Sequence, residues 1–216
     1  MSKRPIIKIH SKKRDTFGIE KLEKTLFFLK KISYFYVAEK VFGLSTFFAV
    51  DVWVLSFLTF SMIGYVASFI ITATSLQVLC VVLAAIRIFE VLIYLIFTML
   101  FAQRKKGTAD LRSYRRWLIL LVSNYLEIIL WFGMFYSILF TAGSLKIHSE
   151  HYAIAILRES LAFMVANSTG TLGEFSKLSL LTVTIQNFVG LFLTLVVATR
   201  VISLLPRLKS SDTSES

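Results

Sequence analysis

Asn167-Ser168-Thr169-Gly170-Thr171-Leu172-Gly173-Glu174 separates a short apolar segment, residues 152–166, from the last long apolar run, residues 178–205. Two of the chain's nine glycines fall in this stretch, among small hydroxyl side chains. Glycine, serine and threonine let a backbone bend freely and turn its carbonyls outward. Inside a membrane such a stretch is tolerated only where protein or a water-filled path surrounds it. The rest of the chain reads as the housing for this loop.

The surroundings are apolar enough for a bilayer. The 216 residues are 56% hydrophobic, with mean hydropathy +0.72, above what a soluble domain of this length carries. Four runs are long enough to span, at residues 46–72, 76–101, 117–140 and 178–205. At about 1.5 Å per residue each crosses a hydrocarbon core of about 30 Å. The short linker Ala73-Thr74-Ser75 makes the first two a hairpin. Segment 141–177 is too long for a plain connection. Its residues 152–166 predict a helix of about 15 residues, too short to cross. A half-crossing helix followed by a Gly/Ser/Thr loop has the form of a re-entrant pore helix and loop. The partly negative end of that helix favours a cation beyond it.

Charge sets the rest of the layout. The net charge is +11, with eleven of the 24 Lys and Arg in residues 1–40 and six in residues 104–116. Both clusters flank apolar spans. Orientation and contact with anionic lipid explain them before nucleic acid does. The N-terminus and the 104–116 loop are therefore expected in the cytoplasm. With four spans the C-terminus joins them, and 141–177 faces outside. Residues 1–16 predict a flexible basic arm carrying Lys12, Lys13 and Arg14. Residues 17–44 place Leu22, Leu26, Leu29 and Ile32 at helical spacing among Lys21, Lys24, Lys30 and Lys31. This predicts a basic amphipathic helix on the membrane surface, or one packed on a cytosolic partner. Pro206 stops the last helix, and 206–216 predicts a disordered tail. The expected fold class is an all-α integral membrane protein. It has four transmembrane helices, a re-entrant helix and loop between the third and fourth, and an interfacial helix before them. Residues 45–103 form the hairpin and 117–205 the loop-bearing module.

Over 117–205 the chain resembles the pore module of potassium-channel-like cation channels: span, short pore helix, T-T-V-G-Y-G-D-like loop, span. Ser168 and Thr169 match the hydroxyl pair, Gly173 the second glycine and Glu174 the acid. Thr171 stands where that family has its first glycine, and Leu172 where it has an aromatic. A ring of carbonyls needs backbone angles that glycine supplies, so Thr171 alters potassium selectivity. The resemblance implies a homotetramer with four 168–174 loops around one axis, passing monovalent cations, with no other cofactor. The four-span plan with a basic N-terminal arm is also similar, in layout, to the membrane subunit of the bacterial Kiwa anti-phage system. That resemblance implies a non-conducting sensor or scaffold in the bacterial inner membrane. Its basic N-terminal region would recruit a cytosolic protein. A plainer alternative is a four-helix membrane protein whose outer loop only packs on the bundle.

Further polar groups mark the spans. Thr182, Gln186, Asn187, Gly190 and Thr194 recur on one side of the fourth, a stripe suited to a bundle interface or a watery cavity. In the channel reading Gly190 resembles a gating hinge; otherwise it is a packing glycine. Arg87 and Glu90, three apart in the second span, lie at a depth similar to Glu127 and Asn124 in the third. Structural pairing explains them before voltage sensing, which needs repeated cations. Asp51 is expected to pair with basic residues near the cytoplasmic face. His148 and His151, with Glu150, read as a solvated turret rather than a metal site. No G-x-S-x-G, H-E-x-x-H, Walker loop or C-x-x-C is present, and the lone Cys80 forms no intrachain disulfide. No enzyme activity is expected.

Overall fold

The computed structural model describes residues 47–71, 73–101, 114–173 and 175–204, with single helical positions at Lys21, Lys24, Thr25 and Phe28. The expected basic arm with Lys12, Lys13 and Arg14, the positions Lys30 and Lys31, residues 104–113, Glu174 and the tail lie outside the described residues.

Among the described residues five helices carry the fold. They are α1 (Phe47–Ala67), α2 (Thr74–Phe101), α3 (Tyr114–Thr141), α4 (Tyr152–Phe163) and α5 (Lys177–Leu204). Two two-residue strands, β1 (Lys146–Ile147) and β2 (Leu172–Gly173), pair antiparallel, with Lys146 opposite Gly173 and Ile147 opposite Leu172. Helices α1, α2, α3 and α5 are each long and apolar enough to cross a membrane. With no water in a bilayer core, each backbone amide must bond within its own segment, so apolar runs of this length become helices. The chain is a multi-pass membrane protein.

The middle of the bundle is α3, which packs against all four other helices. Its span is 56% buried inside the molecule, against 17% for α1. The buried core runs along it through Leu121, Ile128, Phe132, Tyr136 and Leu139. Leu55, Phe60 and Met62 on α1, and Leu181, Phe188 and Leu195 on α5, point outward. In a water-soluble protein such a surface would aggregate; here it meets lipid or other protein.

A left-handed turn ends α3. Gly143 has φ +69°, the Gly143 N–H donates to Phe140 O at 3.0 Å and the Ser144 N–H to Leu139 O at 2.9 Å. This pair of hydrogen bonds satisfies orphan carbonyls, and glycine adopts the conformation without steric cost. The chain then enters β1 and turns into α4.

Candidate functional site

Short α4 reaches the middle of the bundle. The Ser160 hydroxyl donates to the carbonyl of Ile129, near the midpoint of the 28-residue α3, at 2.7 Å. Met164, just past the end of α4, lies against Gly190, near the midpoint of the 28-residue α5. A Cβ on Gly190 would come within 2.6 Å of Met164 Cα and 2.7 Å of its carbonyl carbon. The absent side chain is what lets the end of α4 touch α5. At the other end of α4 the Tyr65 hydroxyl donates to Ala153 O.

Gln186 fastens this arrangement. Its amide donates to both Ser160 O (2.7 Å) and Ser160 Oγ (3.0 Å), and its own oxygen accepts from the Tyr136 hydroxyl. All three side chains are fully buried. A buried amide in an apolar bundle must find such partners, and their fixed geometry sets the height of α4 against α3 and α5. The stripe read on the last span is thus divided. Gln186 and Gly190 face α4, Thr182 is half-buried with its hydroxyl on Leu178 O, Asn187 is half-buried, and Thr194 is exposed.

Beyond α4 the chain reverses. The Ala166 N–H donates to Phe163 O at 3.1 Å and the Asn167 N–H to Ala162 O at 3.0 Å, the same doubly hydrogen-bonded cap that ends α3. Here the left-handed position is held by alanine, Ala166, at φ +54°. Its Cβ makes that conformation cost about 1–2 kcal/mol. Gly170, at φ +74°, makes the next bend. The rising strand then delivers Leu172 to the core and Gly173 to β1. Gly173 lies beside His148, whose Cδ2 would stand 2.8 Å from a Cβ there.

The loop is gathered on one side chain that sequence reading passed over. Glu159 Oε1 accepts from Thr169 Oγ1 (2.6 Å), Thr171 Oγ1 (2.7 Å) and the Thr171 N–H (2.7 Å). Its Oε2 accepts from the Thr169 N–H (3.0 Å) and, at 3.3 Å, from the Ser168 hydroxyl. Glu159 is completely buried. Burial disfavours its ionised form, and hydrogen bonds from the side chains and backbone of Thr169 and Thr171 favour it. Glu159 stands nine residues before the first of these hydroxyls, and periodicity does not distinguish it from a surface acid.

This grip also fixes where the loop's carbonyls face. Every described peptide bond is trans, and a planar trans peptide sets its C=O opposite its N–H. With the Thr169 and Thr171 N–H groups on Glu159, the carbonyls of Ser168 and Gly170 face away from α4. The Thr171 carbonyl accepts from the His148 N–H at 2.9 Å. Residues 165–170 are all exposed in the single chain.

A separate charge cluster lies between α1, α2 and α3. Arg87 donates to Glu127 through Nε (2.7 Å) and Nη2 (3.1 Å), and to Glu90 through Nη1 (2.8 Å). Its guanidinium carbon lies 4.1 Å from the centre of the Phe57 ring. The Trp131 indole also donates to Glu127, at 3.2 Å. Every carboxylate and guanidinium here is buried, so each charge depends on the others. Asn124 is buried one turn before Glu127, and its Oδ1 accepts no hydrogen bond from the described residues. Asp51 pairs with Arg116 at 2.8 Å. Among the described residues no three His, Cys, Asp or Glu side chains gather as a metal site.

No protein-family model, curated protein or solved structure matches the chain.

Proposed function

We propose that the chain assembles as a homotetramer in the bacterial inner membrane, with four Asn167–Gly173 loops around one axis, and passes monovalent cations with altered selectivity. Both termini are cytoplasmic in this reading, and α4 is a re-entrant helix entering from outside. The observation that carries it is the depth of α4. Its end lies level with the midpoints of α3 and α5, and the polar residues Asn167, Ser168 and Thr169 beyond it are exposed. Backbone at that depth cannot face lipid. Further copies of the same chain are the simplest cover, and cyclic symmetry brings identical loops together.

The loop geometry favours cations. Carbonyls of Ser168 and Gly170 face away from α4, and the ionised Glu159 stands behind them. Carbonyl oxygens and a nearby negative charge replace part of a cation's hydration shell. Potassium and sodium flux into proteoliposomes tests this. Flux that Gly173→Leu abolishes supports the proposal. Tetramers without flux refute conduction.

One observation favours a second reading. The hydroxyls of Thr169 and Thr171 are committed to Glu159 and Leu172 is buried, so these side chains do not line a path. A non-conducting sensor or scaffold, recruiting a cytosolic partner through the basic N-terminal region in anti-phage defence, fits that. Its test is co-purification of a soluble protein that deletion of residues 1–42 abolishes.

A further inference from the structure

A groove of about 670 Å³ opens between α1, α3 and α4 on the outside of the bundle. Leu58 and Met62 of α1, Ile129 and Leu130 of α3 and Leu161 of α4 make its walls, and Arg158 is the one charged group among the described residues that line it. Arg158 is exposed, and among the described residues no carboxylate pairs with it.

Depth makes that arginine informative. It precedes Ser160, which bonds the middle of α3, by two positions and Met164, which meets the middle of α5, by six, so its backbone lies about 3–9 Å above mid-bundle. Half of a hydrocarbon core is about 15 Å. The Arg158 backbone is therefore inside the acyl layer, and its long side chain can extend toward the headgroup level above. A guanidinium there demands an anion, and its planar fork matches two oxygens of a phosphate. Below it the groove is hydrocarbon, open to the bilayer, and of a size that ligand clefts occupy.

We propose that this groove seats one acyl chain of an anionic phospholipid whose phosphate pairs with Arg158. The inference shares the depth of α4 with the function proposed above, and needs neither conduction nor four-fold assembly.

The test uses the full chain in mild detergent, with phosphatidylglycerol or phosphatidylcholine added at equal concentration. Native mass spectrometry counts retained lipid. A charge-assisted pair implies a preference of about tenfold or more for phosphatidylglycerol, falling to about twofold in Arg158→Gln. Arg158→Lys keeps most of the preference. Leu161→Trp, which fills the groove and leaves the charge, lowers retention of the bound lipid. Equal retention of the two lipids by the wild-type chain overturns the proposal. So does an undiminished preference in Arg158→Gln, which would assign the lipid to basic segments elsewhere. A change in copy number in Leu161→Trp with unchanged lipid retention also overturns it, by seating a second copy in the groove. A monomeric or non-conducting protein that still shows the Arg158-dependent preference supports this site while refuting the tetrameric channel.

Discussion

Glu159→Gln isolates the contact that holds the loop. The substitution keeps shape and removes charge. Three short bonds converge on Oε1, from Thr169 Oγ1, Thr171 Oγ1 and the Thr171 N–H, at 2.6 to 2.7 Å. A hydrogen bond to a charged group contributes about 1.5–3 kcal/mol and a neutral one about 1. If the amide oxygen takes the Oε1 place, each bond weakens by roughly 0.5–1 kcal/mol, about 1.5–3 kcal/mol in all. The new NH2 group also faces the Thr169 N–H, donor against donor. Opening of the loop should therefore become about 10- to 160-fold more frequent. Amide hydrogen exchange at Thr169 and Thr171 reads this directly, with the Ser144 amide as an internal reference. A change below about threefold at both amides refutes the reasoning.

Other substitutions probe the frame. Gly190→Ala drives a Cβ into the Met164 backbone, which cannot move aside as a side chain would, and should cost about 1–3 kcal/mol by denaturant titration in detergent. Ala166→Gly relieves a left-handed alanine and should stabilise by about 0.5–1 kcal/mol in the same titration, despite glycine's greater unfolded entropy. Arg87→Leu leaves Glu90 and Glu127 without their shared cation and should cost about 3–5 kcal/mol; adding Glu127→Gln should recover part of it.

The spans were legible because a bilayer imposes one rule on every residue of a segment. Runs of apolar side chains gave α2 and α5 to within about two residues at each end. The first span was read as 46–72, whereas α1 ends at Ala67. Beyond it the Ser68 hydroxyl turns to Ser137, and the backbone tightens into a turn. The 152–166 segment was read three residues too long, because Ala166 takes a left-handed conformation that alanine does not advertise. The strand pair β1–β2 left no trace, since two residues are too few for alternation. The grip of Glu159 on Thr169 and Thr171 depends on a chain reversal, and no spacing rule encodes one. Gly190 could be read as hinge or packing residue; the structure places it against the backbone of Met164, just past the end of α4.

The claim on which the rest depends is that the polar loop at mid-bundle depth is covered by other copies of the chain. Native mass spectrometry of the protein released from lipid nanodiscs measures this directly. A homotetramer gives four copies of the 24.6 kDa chain in one particle. A single copy, stable and folded, would contradict it.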